Sequence, residues 1–214
     1  MIALSTAVEP LRMANKLTGQ SVYDWSIVSL DGQPTPASNG LQLAPTVPLE
    51  QVGPVDILFV CGGVEVQEAV SPKIVAALRR LAERRVPLGA LCTGGYALAK
   101  AGLLDKYRAT IHWENLSALR EEFPRIHLSD QLFTIDRDRF TCSGGVAPLD
   151  LAPRQSGGGG DLIERQGLLD VLFHELRHLD QALVAHTDLG AQWHVLPVAV
   201  VAHPIHDELF RNEL

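Results

Sequence analysis

Hydrophobic and polar positions along the first 150 residues switch between a strand-like and a helix-like period. Tyr23 to Leu30 reads as a strand and Asp56 to Val60 as a buried strand. From Pro72 to Arg85 the period changes, and Ile74, Val75, Leu78 and Leu81 fall on one face of a helix. The apolar run Val86 to Leu91 follows as a strand, and after a turn the stretch Tyr96 to Ala101 reads as a helix ending near Gly102. Arg108 to His112 reads as a further strand, and Glu114 to Phe123 as a helix closed by Pro124. Gln131 to Ile135 with Arg139 to Cys142 reads as a hairpin around Asp136 and Asp138. Such alternation predicts an α/β fold, a mainly parallel sheet with helices on both faces, whose sites form at the carboxyl ends of its strands.

Length and composition change this picture little. A chain of 214 residues with 46% hydrophobic content can bury a core without cross-links. Its three cysteines, Cys61, Cys92 and Cys142, fit neither a disulfide framework nor a metal knuckle, so a reducing compartment, the cytoplasm, is expected. Glu9, Arg12 and Lys16 interrupt the first twenty residues, which lack a secretory layout, and no apolar run is long enough to cross a bilayer. Charge bears on partners. Residues 1–150 hold 14 Lys and Arg against 16 Asp and Glu, and residues 151–214 hold 4 Arg, no Lys and 9 acids. Nothing here supplies the basic stripe that neutralises phosphates, so direct nucleic-acid binding by this chain is not expected.

The candidate chemistry lies at the turn after Leu91. In Ala90-Leu91-Cys92-Thr93-Gly94-Gly95 an apolar strand stops at a cysteine and turns through glycines into a helix, the pattern of a nucleophile elbow. Unpaired N–H groups and the positive end of the helix would stabilise thiolate, so a lowered thiol pKa is expected. The alternative is a small buried residue filling a tight turn. Gly62 and Gly63 follow the strand Ile57 to Val60 and offer a backbone that could hold an oxyanion, or simply permit a tight turn. Gly144 and Gly145, after Cys142, read as structural.

Val60-Cys61-Gly62-Gly63, the Cys92 elbow, Ala109-Thr110-Ile111-His112-Trp113 and Thr141-Cys142-Ser143-Gly144-Gly145-Val146-Ala147-Pro148-Leu149-Asp150, with the opening Ala7-Val8-Glu9-Pro10-Leu11-Arg12, resemble the DJ-1/PfpI superfamily. More narrowly they resemble the sensory domain of GlxA-type regulators of the AraC family. The resemblance covers about residues 1–150 and implies a flavodoxin-like three-layer sandwich that senses a small metabolite and forms a homodimer, with no cofactor and no metal. It places Cys92 at the nucleophile position, Glu9 at the acid that contacts the thiol, and Gly62, Gly63, Thr93 and Gly94 around a ligand. Thr93 stands where protease-like members carry His, so the expected base is absent; His112 is a substitute for it or a structural residue. The competing class is a cysteine-nucleophile enzyme resembling isocyanide hydratases, which carry Asp where this chain has Glu9.

Two departures from the family shape further expectations. The family's domain opens with a central strand ahead of Met1 to Leu17, so the first strand is expected to be missing from the sheet. After Leu151 the family continues into a long helix and paired helix-turn-helix motifs, whereas this chain reads Ala152-Pro153-Arg154-Gln155-Ser156 and then Gly157 to Gly160. A DJ-1/PfpI-like domain of residues 1–151 is therefore expected, followed by a glycine-rich linker and an acidic, His-rich tail over 152–214 in place of the DNA-binding half. A frame change near codon 151 or a fusion accounts for this tail. Within it His174-Glu175-Leu176-Arg177-His178 matches the zincin motif H-E-x-x-H, with His186 a conceivable third ligand, a distant zinc-hydrolase alternative. A plainer reading is an amphipathic helix, Ile163 to Val184, before the apolar run Leu196 to Ala202.

Overall fold

The computed structural model describes residues 1–45, 47–151 and 198–204. Its centre is made by strands buried on both faces, which is why they read as unbroken apolar runs. Ile57–Cys61 and Leu88–Leu91 are buried at every position. In chain order the elements are α1 (Ile2–Thr18), β1 (Tyr23–Ser29), β2 (Thr35–Pro36), β3 (Gln42–Leu43), β4 (Val47–Pro48), β5 (Ile57–Cys61), α2 (Val66–Ala69), α3 (Pro72–Glu83) and β6 (Leu88–Leu91). They continue with α4 (Gly95–Lys100), β7 (Arg108–Thr110), α5 (Leu116–Glu122), β8 (His127–Ser129), β9 (Phe133–Asp136), β10 (Arg139–Cys142), α6 (Ala147–Leu151) and β11 (Val198–Pro204).

The main sheet has the order β4-β1-β11-β5-β6-β10-β9. β4 is parallel to β1, and β5, β6 and β10 are mutually parallel. β11 runs antiparallel to both β1 and β5, so those two point the same way, and β9 is reversed against β10. This is the mainly parallel, flavodoxin-like sheet expected from the alternation. One face carries α1 and α6 over Ile57, Phe59, Cys61, Leu91 and Cys142; the other carries α2 to α5 over Leu58, Val60, Leu88 and Ala90.

Local chemistry explains the element ends. Ser71 caps α3 by accepting from the Ile74 amide at 3.4 Å, with Pro72 at the first helical position. α1 closes on Gly19 at φ 67°. Asn15 then ties that helix to β1 twice, donating to the Tyr23 carbonyl at 2.6 Å and accepting from its amide at 2.8 Å.

Several expectations change here. The anticipated Arg108 to His112 strand ends at Thr110 and pairs with β8 outside the main sheet. Buried threonines hold it there: the Thr110 amide donates to Thr141 Oγ1 at 2.8 Å, and Thr110 Oγ1 lies 2.7 Å from Thr134 Oγ1. A sheet without its middle strand was expected, and the position between β1 and β5 is occupied by β11, drawn from the apolar run near the chain's end. Gly157 to Gly160, the proposed helix over 163–184, the His174-Glu175-Leu176-Arg177-His178 motif and His186 lie outside the described residues.

Candidate functional site

Cys92 stands at the carboxyl end of β6, where the chain enters a 3-10 turn over Cys92–Gly94 and then α4. Its φ of 58° lies in the left-handed region, which costs a residue with a side chain of order 1–3 kcal/mol. Cys92 thus occupies a tight, left-handed turn between strand and helix.

Close packing around the elbow explains the glycines. A Cβ on Gly62 would lie 2.2 Å from the Gly94 nitrogen and 2.3 Å from Thr93 Oγ1, and one on Gly94 would lie 2.1 Å from the Val60 carbonyl oxygen. The turn after β5 and the elbow after β6 are thus interlocked through bare backbone. Thr93, itself buried, adds a bond, its hydroxyl donating to the Gly63 carbonyl at 2.7 Å. Gly144, at φ 99°, covers the thiol from the β10 side, since a Cβ there would sit 2.8 Å from Cys92 Sγ. The structural reading given to this glycine has its reason in that contact, which leaves no room for a side chain beside the thiol.

The same geometry narrows the oxyanion reading. The Gly62 amide donates to the Leu91 carbonyl at 3.2 Å, and Gly63 presents its carbonyl, an acceptor, to Thr93. Gly62 therefore has no free N–H to offer a developing negative charge.

The thiol departs from the sequence expectation in its electrostatics. Burial raises the Cys92 pKa above its ordinary value, and hydrogen bonding from the Thr93 backbone opposes this without reversing it. The amino terminus at Met1 also lowers it, and the Glu114 charge raises it. An elbow helix of only six residues, entered through a 3-10 turn, supplies too little dipole to win against desolvation. Cys142, more deeply buried, is pushed up to about 11, and burial raises Cys61 further still.

Glu9 and His112 each lie against a charged neighbour, Arg12 and Glu114 respectively. Glu9 is held by Arg12, whose Nε donates at 2.8 Å and whose second guanidinium nitrogen forms an ion pair, and this hydrogen bonding lowers the Glu9 pKa. The acid whose charge acts on the thiol is Glu114, which sequence reasoning passed over; its signal was its place two residues beyond His112 in the loop after β7. His112 begins the 3-10 turn Trp113–Asn115, and its Nδ1 is buried without a hydrogen-bond partner, 3.6 Å from Glu114 Oε2. Beside it Trp113 is 72% exposed, with the two rings 5.6 Å apart. Val64, Leu132 and Val146, each in a loop at the same end of the sheet, are also exposed, which gives the rim an apolar character.

Among the described residues no group of three or more His, Cys, Asp or Glu is arranged to hold a metal ion, and no helix is long and apolar enough to cross a membrane. What fold and site define together is an α/β domain with a cysteine elbow at a strand end. The DJ-1/PfpI family model matches residues 6–153, and the chain belongs to the DJ-1/PfpI family. The chain is 50% identical over 151 residues, 71% of its length, to the HTH-type transcriptional regulator GbdR of Pseudomonas aeruginosa, and covers 41% of that protein. It is 37% identical over 153 residues, 71% of its length, to the HTH-type transcriptional regulator GlxA of Rhizobium meliloti, and covers 47% of it. The chain thus spans less than half the length of these relatives. Among solved structures an AraC family transcriptional regulator from Pseudomonas putida superposes with a TM-score of 0.68 at 29% identity, covering 79% of this chain and 92% of that one.

Proposed function

We propose that residues 1–151, completed by β11, form the small-molecule-sensing domain of a GlxA-like regulator of the AraC family, acting as a cytoplasmic homodimer. The observation that carries this reading is the 50% identity with an HTH-type transcriptional regulator, which runs through the elbow region. The site supports it. A thiol whose pKa is raised is mainly neutral near pH 7, and the hydrogen bonds acting on it come from Thr93, with no base in the set. Such a group contacts a ligand more readily than it attacks one. The ligand sits over Cys92, Gly63, Thr93 and Gly94, bordered by the Glu114 and Trp113 loop. The unpartnered His112 Nδ1 offers a buried hydrogen-bonding group on the same loop.

The test is a thermal-shift screen of small metabolites on the full chain, with each hit checked for protection of Cys92 from iodoacetamide. The expected result is a class of compounds that raises the melting temperature and slows Cys92 labelling without being consumed. Consumption of a hit, abolished by Cys92→Ser, would overturn the reading in favour of a cysteine-nucleophile enzyme.

A further inference from the structure

β11 reaches the centre of the sheet from beyond Leu151, and 46 residues separate the two. It lies between β1 and β5 and pairs with both: Tyr23 to Val28 face Pro204 to Ala199 on one side, and Ile57 to Cys61 face Ala202 to Val198 on the other. Its first residue, Val198, stands opposite Cys61, the last residue of β5 before the Gly62–Gly63 turn.

β5 is therefore held on one edge by β11 and on the other by β6, the strand that ends at the elbow. From there the coupling is steric. With a would-be Gly62 Cβ only 2.2 Å from the Gly94 nitrogen and the Thr93 hydroxyl bonded to the Gly63 carbonyl, a shift of β5 cannot be absorbed by soft side chains; it must move the elbow or break that bond. If β11 leaves, β5 and β1 each lose a neighbour, and an unpaired edge forms directly beside the site.

We propose that β11 is a positioning strand for the Cys92 site: its docking between β1 and β5 sets the Gly62–Gly63 turn against the elbow, and its release loosens that turn before the rest of the sheet opens. The three thiols report on this separately. Cys61 ends β5 beside β11, Cys92 sits on the elbow, and Cys142 lies on β10, on the far side of β6. The inference stands whether the site binds a regulator ligand or a substrate.

The experiment is performed on the full chain and on Val200→Pro, which removes a ladder N–H from the middle of β11. Iodoacetamide labelling is mapped at each cysteine, and hydrogen exchange is followed by mass spectrometry. In the unmodified chain, residues 198–204 are expected to be protected and to open together with 57–63, ahead of 88–91 and 139–142. In Val200→Pro, Cys61 is expected to lose its protection and Cys92 to change its labelling rate while Cys142 stays protected. Residues 198–204 exchanging at the rate of unstructured chain, or opening independently of 57–63, would overturn the proposal. So would a Val200→Pro chain that keeps Cys61 protected, or one that exposes all three thiols alike, since β11 would then brace the whole domain and not the site.

Discussion

Gly62 and Gly94 meet so closely that neither can carry a side chain: a Cβ on Gly62 would stand 2.2 Å from the Gly94 nitrogen. This contact joins the turn after β5 to the Cys92 turn after β6, and it makes the position of Cys92 depend on both strands. Gly62→Ala is expected to be overpacked against backbone that cannot move aside. The loss should be about 2 kcal/mol or more, with a fall in melting temperature of at least several degrees. Gly53, whose Cβ would meet nothing within 4 Å, is the control, and Gly53→Ala should melt close to the unmodified chain.

Thr93 ties the same two turns by a hydrogen bond. Thr93→Val removes the donor and leaves the Gly63 carbonyl unpaired, a loss of about 1–3 kcal/mol. Loss of that tie frees the Gly63 turn beside Cys92, so the rate of thiol labelling at neutral pH should change. Thr93→Ser keeps the hydroxyl and should retain most of both properties. Equal behaviour of the Val and Ser variants in melting and in alkylation rate would contradict the assignment.

Glu114 raises the Cys92 pKa through its charge, whereas Glu9 is engaged by Arg12. Glu114→Gln should therefore lower the pKa and accelerate alkylation near pH 8. The increase should be about two- to fivefold, the scale of a screened pair worth about 0.5–1 kcal/mol. Glu9→Gln should leave the rate unchanged. The pH profile of Cys92 labelling in the three proteins separates these outcomes.

The buried cysteines give stability an alkaline limit. Their folded pKa values are raised above the unfolded value, so the native state holds its thiol protons more tightly than the unfolded chain does. Stability from this source is fully present below the unfolded value and declines as pH rises through it, for Cys142 until about 11. Melting temperature should fall as pH is raised above about 9, and Cys142→Ala should make that slope shallower.

Much of the sheet was legible because strands buried on both faces leave unbroken apolar runs, as Ile57–Cys61 and Leu88–Leu91 do. The helix α3 was legible from its one apolar face and from Ser71-Pro72 at its start. The short strands β2, β3, β4 and β8 were not, since two or three residues are too few to display a period. The end of β7 was misplaced because a buried threonine cluster, a tertiary arrangement, decides where that strand stops. At the site, Cys92 at a tight turn could be read from the sequence, and the close approach of Gly62 to Gly94 could not, because two separate turns make it. The direction of the Cys92 pKa could not either, because burial depends on which elements close over the thiol, and Gly144 does so from the loop after β10, 52 residues further along the chain. Glu114 escaped for a similar reason: its place two residues beyond His112 was the one signal, and its charge acts on Cys92 only through the fold.

The most direct test of the sensing account is calorimetric titration of the strongest thermal-shift hit into the unmodified chain and into Cys92→Ser, with the compound assayed for turnover afterwards. The account predicts saturable binding to both proteins, with affinities within about tenfold of each other, or about 1.4 kcal/mol, and the compound recovered unchanged. Conversion of the compound by the unmodified chain, absent in Cys92→Ser, would contradict it and make Cys92 a nucleophile.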